Sequence, residues 1–125
     1  MAKSKTTIPF NFAIENLFTL NPIVKQMFGC HSIYIDNKIV LALRDKNDED
    51  SGVWIGTSKE YHQSLKKEFP SMRSIQLFGP GTSGWQLLPK DADDFESSVN
   101  RACELIIKGD ERIGKIPKPK KSKKK

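Results

Sequence analysis

Cysteine and histidine are scarce in this 125-residue chain, which has two of each, at Cys30, Cys103, His31 and His62. No C-x-x-C or H-x-x-x-H pair occurs. The local chelating pair from which structural zinc sites usually start is missing, and no metal is expected. There is no Gly-x-Ser-x-Gly elbow, and no Gly-Lys-Ser/Thr ending of the kind a P-loop needs. No apolar run approaches the roughly 20 residues that span a bilayer, so no membrane partner is expected. The opening Met1–Thr7 stretch has a basic flank but no apolar region behind it, which does not fit a secretory signal. These absences predict a cytoplasmic protein with free thiols.

Basic charge is abundant, but it is unevenly placed. The formal net charge is +6, and seven lysines, Lys115, Lys118, Lys120, Lys121, Lys123, Lys124 and Lys125, stand in the last eleven residues with no acid among them. Residues 1–114 then hold 14 basic against 15 acidic side chains, a net charge of −1. The basic character therefore belongs to the C-terminal segment. Those seven lysines are the candidate nucleic-acid contacts, through nonspecific attraction to phosphate.

The length suits a single domain, since two independent cores would each be too small. Residues 1–6 are expected to be disordered, residues 7–114 to form the domain, and the Pro- and Lys-dominated 115–125 segment to remain disordered. Thr6 or Thr7 can cap a first helix with Pro9 near its first position, and Phe10, Ile14, Leu17 and Phe18 form its apolar stripe up to Asn21-Pro22. The period then changes to two. Strands are expected at Val24–Phe28 and through Ile33 and Ile35. An Asn37-Lys38 turn leads to a return strand with Ile39, Leu41 and Leu43 on one face, and a further strand runs from Gly52 to Gly56. Thr57-Ser-Lys-Glu60 reads as a capping box for a second helix with Tyr61, Leu65 and Phe69 inward. Segments 74–78 and 85–88 read as a hairpin around the glycine-rich 79–84 loop. Asp91 is placed as the cap of a third helix, with Phe95, Val99, Ala102, Cys103 and Ile106 buried and Gly109 at its end. The fold class is thus α+β, an antiparallel sheet of five or six strands with about three helices packed on it.

No arrangement of residues points to catalysis. Cys30 and His31 are adjacent in a strand and project to opposite faces, which is the wrong geometry for a Cys–His dyad. Cys103 falls on a helix stripe and reads as core. Asp45, Asn47 and Glu49 occupy the first three positions of a calcium loop, but position six is Asp50 and position twelve is Gly56, so a solvated turn is the better reading. Trp54, Trp85, Tyr34 and Phe78 have the chemistry to stack on bases, although aromatics at strand spacing usually serve sheet packing. No catalytic residue, cofactor or metal ligand is assigned, and the chain is not expected to be an enzyme.

The run Val24-Lys-Gln-Met-Phe-Gly29, then Ile33-Tyr34, Asp36-Asn37-Lys38 and Ile39–Leu43, resembles the N-terminal domain of the TfoX competence-regulator family. The later course, Gly52-Val-Trp-Ile-Gly56, a helix, a hairpin reaching Trp85 and a final helix, is also similar to the related YjbR-like proteins. Met27, Phe28 and Gly29 carry the motif, and the resemblance spans about residues 10–110. It implies a compact α+β fold, no enzymatic activity, and a regulatory or DNA-associated role. The function expected is therefore a small binding or regulatory domain associated with nucleic acid. The alternative is a protein–protein interaction domain in which the lysines are incidental.

Overall fold

The computed structural model describes residues 8–27, 29–46, 48–76 and 84–115. A six-stranded sheet forms its centre: β1 (Ile23–Met27), β2 (Cys30–Ile35), β3 (Lys38–Arg44), β4 (Gly52–Ile55), β5 (Arg73–Ser74) and β6 (Gln86–Pro89). The spatial order is β1-β2-β3-β4-β6-β5, and every neighbouring pair is antiparallel. Three α-helices, α1 (Phe12–Asn16), α2 (His62–Glu68) and α3 (Phe95–Ile107), pack on one face. This is the α+β architecture that the alternating periods predict.

Strand alternation divides the buried side chains into two groups. Ile33, Leu41, Leu43, Val53, Ile55 and Leu88 face the helices and meet Leu65, Phe69, Val99, Ala102 and Cys103. Cys30, Ile39, Ala42, Trp54, Ile75, Trp85 and Leu87 form a second apolar cluster on the opposite face. The central strands are thus apolar on both sides.

The turn between β2 and β3 lies one residue earlier than the sequence predicts. Ile35 pairs with Lys38, which leaves Asp36 and Asn37 as the loop, at φ 49° and 72°. Positive φ at both central residues is the geometry whose twist matches a tight hairpin, and Asp and Asn tolerate it. Beyond the turn, Ile33 pairs with Leu41 but Tyr34 pairs with Ile39, so Val40 is an inserted bulge residue. The bulge shifts the phase of β3. Val40 and Leu41 both join the helix-side core, whereas Ile39 falls in the opposite cluster rather than beside Leu41 and Leu43.

Helix starts depart most from expectation. Phe10 has φ 56° and packs its ring edge-on against Phe95 at 5.1 Å, so α1 cannot begin before it. The N-cap position is Asn11, not Thr6 or Thr7, which lie outside the described residues. Ala13 and Leu17 are fully buried, but Phe18 is 75% exposed, because the chain tightens to a 3-10 turn at Phe18–Leu20 and rotates it outward. The Thr57 capping box does not form, because Thr57 donates its hydroxyl to the Arg112 carbonyl at 2.6 Å. Ser58 instead precedes a 3-10 turn at Lys59–Tyr61 that leads into α2. Asp91 does not cap α3. Two turns closed by Ala92 N–H to Pro89 and Phe95 N–H to Ala92 intervene, which puts Asp94 at the cap position. The predicted strand over 74–78 is shorter and earlier, with Arg73 and Ser74 opposite Leu87 and Gln86. Residues 77–83, including Phe78 and most of the glycine loop, lie outside the described set.

Candidate functional site: an anchored lysine segment

The seven candidate lysines divide at Lys115. Lys118, Lys120, Lys121, Lys123, Lys124 and Lys125 lie outside the described residues, while Lys115 forms an isolated antiparallel bridge to Ile39 of β3. After α3 the chain turns at Gly109, whose N–H bonds the Ile106 carbonyl while the Asp110 N–H bonds Leu105. Arg112 then holds the returning segment. Its guanidinium forks onto Asp110 at 2.9 and 2.8 Å and reaches Glu68 at 3.3 Å and Ser64 Oγ at 2.7 Å. The Arg112 guanidinium holds the carboxyls of Asp110 and Glu68 below their usual range, and those two carboxylates hold the guanidinium proton more firmly still.

Ile113 is buried, the Gly114 N–H reaches the Gly56 carbonyl, and Lys115 exchanges two backbone hydrogen bonds with Ile39 at 2.8 and 2.9 Å. This pairing takes up the edge of β3 that β4 leaves free when the chain turns away at Gly56. The first lysine of the run is therefore fixed in space. Composition alone missed this anchor. The signal available was the Ile113-Gly114 step, apolar and then small, set between two cations.

The helix-free face carries aromatic side chains, but they are not a stacking platform. Trp54 and Trp85 are 1% and 8% exposed and pack edge to face at 5.8 Å. The Trp54 indole N–H donates to the Asp50 carbonyl, and the Arg44 guanidinium lies 6.0 Å from the ring. Tyr34 is half-buried, with Lys25 Nζ 5.0 Å from its ring centre.

The sequence-derived motif residues sit at the other end of the sheet. Met27 ends β1 opposite Cys30, Gly29 follows at φ 73°, and Phe28 lies outside the described residues. Cys30 and Cys103 are buried, not joined in a disulfide, and lie on opposite sides of the sheet. Burial pushes the Cys103 thiol up to about 11 and also raises Cys30, against a smaller lowering by Arg44, whose Nη1 is 4.0 Å from the sulfur. His31 meets Gln26 at 3.2 Å, and His62 Nε2 is 2.8 Å from the Gly84 carbonyl.

The acidic loop is more than a solvated turn. Asp48 pairs with Arg44, Asp45 with Lys90, and the Asp50 carboxylate is buried and accepts the Gln76 N–H at 2.9 Å. Asn47 lies outside the described residues. Among the described residues no three His, Cys, Asp or Glu side chains gather as a metal site would require, and no helix is long and apolar enough to cross a membrane. No family model matches the chain, and neither the curated proteins nor the solved structures include a significant match.

Proposed function

We propose that this chain is a small non-catalytic binding domain that associates with nucleic acid through its C-terminal lysines. This agrees with the regulatory role implied by its resemblance to the TfoX N-terminal domain. The observation that carries the reading is the anchor: seven lysines within eleven residues begin at a residue hydrogen-bonded to β3. A polycation attached to a folded body contributes affinity by releasing counterions from the phosphate backbone, with no need for a basic groove. The near-neutral remainder of the chain and the covered tryptophans support placing the affinity in the lysines. The raised thiols, and the histidines already hydrogen-bonded within the fold, support a role without nucleophilic chemistry.

A binding titration against duplex and single-stranded DNA at two salt concentrations tests the proposal. With all seven lysines engaged on duplex DNA, the logarithmic salt slope has a limit of about −6. A chain ending at Lys115 is expected to lose most of that slope and affinity. Binding that survives this truncation would sink the proposal.

A protein-interaction reading has one observation in its favour. Phe18, Ile23 and Ile107 are large apolar side chains exposed at 75%, 59% and 47%. Absence of any shift with DNA or RNA at low salt, together with a stable co-purifying protein, would favour it.

A further inference from the structure

Two concavities meet at the turn between β1 and β2. One, of about 220 Å³, is lined by Pro9, Gly29, His31, Leu43, Asp45 and Lys46. The other, of about 370 Å³, is lined by Gln26, Gly29, Cys30, His31 and Lys46. Gly29, His31 and Lys46 line both, at the end of the hairpin. They lie at the Arg44 end of β3, away from the Ile39 end where Lys115 is anchored.

The local charges leave this surface cationic. Arg44 is occupied by Asp48, and Asp45 is occupied by Lys90 at 2.8 Å. Lys46 makes no ion pair among the described residues. Its backbone N–H donates to Ser51 Oγ at 2.8 Å and its carbonyl accepts from the same hydroxyl, which fixes the base of the side chain. His31 Nε2 lies 3.2 Å from the Gln26 amide nitrogen. Gly29 leaves open the space beside these cations: a Cβ there would stand 2.9 Å from Arg44 Nη1 and 3.5 Å from Lys46 Cε, at a φ of +73° that side chains rarely adopt.

We propose that the surface around Gly29, His31 and Lys46 binds the oxyanion head of a small molecule, a phosphate monoester or a carboxylate, through the Lys46 ammonium and the His31 ring. A Lys46 ammonium with no ion pair among the described residues, beside two carboxylates that are already paired, suits a compact anion of one or two charges. The site uses none of the C-terminal lysines, so it stands or falls independently of the nucleic-acid proposal.

The test is a two-dimensional NMR titration of the full chain at pH 7.5, with sodium phosphate in one arm and sodium acetate in another. Ionic strength is held constant with sodium chloride. Saturable shifts at the Gly29 amide, the His31 ring and the Lys46 signals are expected. Saturation with phosphate alone identifies a phosphate site, and saturation with acetate identifies a carboxylate site. Lys46 is exposed, so Lys46→Gln should fold normally and weaken the fitted affinity about tenfold. His31→Ala should weaken it as well. Shifts that rise without saturation in both arms, shifts confined to the lysines after Lys115, or an unchanged affinity in Lys46→Gln would each overturn the proposal.

Discussion

At Gly52, the first residue of β4, there is room for a hydrogen atom and nothing larger. A Cβ would stand 2.2 Å from the Leu88 carbonyl oxygen and 2.9 Å from the Lys90 nitrogen, at φ +144°. Both obstacles are backbone and cannot rotate away. Gly52→Ala is expected to cost about 3 kcal/mol or more, read from urea unfolding midpoints, and a loss under about 1 kcal/mol would contradict this account. Asn37 gives a cleaner case, because its side chain is exposed and only its φ of 72° matters. Asn37→Val should destabilise by about 1–2 kcal/mol, while Asn37→Gly should be neutral or stabilising. If both substitutions behaved alike, the left-handed turn would not be the constraint. The glycine and the turn residue are both visible in the sequence, yet its pattern predicts the turn one residue late. Asp36 and Asn37 share the required tolerance, and the pairing of Ile35 with Lys38 selects an Asp36-Asn37 turn over an Asn37-Lys38 one.

Elements governed by periodicity were legible, and elements governed by what a residue bonds to elsewhere were not. Alternating apolar residues placed β1 to β4, and the 3.6-residue spacing placed Leu65, Phe69, Val99, Ala102 and Cys103 in the core. The capping box at Thr57 failed because its hydroxyl had a distant partner in Arg112, 55 residues along the chain. The bulge at Val40 similarly inverted Ile39, which no local pattern records. Of the candidate site, composition located the lysines but not their anchor, because Arg112 acts through tertiary contacts with Glu68 and Ser64. That anchor has a pH signature. Asp110 and Glu68 have folded-state pKa values below their unfolded values, so the unfolded chain binds more protons in the acidic range. Their contribution is present in full above about pH 5 and is lost as the pH falls through the folded values. Thermal melts between pH 3 and 7 should show a steeper acid-side loss in the native chain than in Arg112→Ala. That variant should also be less stable at pH 7 by about 1–2 kcal/mol, discounted for the partial exposure of the cluster. Parallel curves for the two proteins would remove the ion cluster from the account of the anchor.

Across the whole molecule, the sheet separates two apolar clusters, and the returning C-terminal segment closes a gap at its centre. One cluster is covered by three helices, and the other is built around Trp54 and Trp85. Between β3 and the departing β4, the Gly114–Lys115 pairing supplies partners for the Ile39 backbone and the Gly56 carbonyl. By charge, the chain divides between Gly114 and Lys115, but by hydrogen bonding Lys115 belongs with the sheet. Truncation distinguishes the two divisions. A chain ending at Lys115 keeps buried Ile113 and the strand pairing, and should retain a single cooperative unfolding transition. A chain ending at Asp110 exposes the surface that Ile113 covers and leaves Ile39 and Gly56 without their backbone partners. It should lose about 2–4 kcal/mol by urea denaturation, the range for deleting a buried aliphatic side chain together with its neighbouring hydrogen bonds. Equal stability of the two truncations would mean that residues 111–115 rest on the sheet without supporting it. The fixed origin of the lysine segment, on which the nucleic-acid proposal depends, would then be lost.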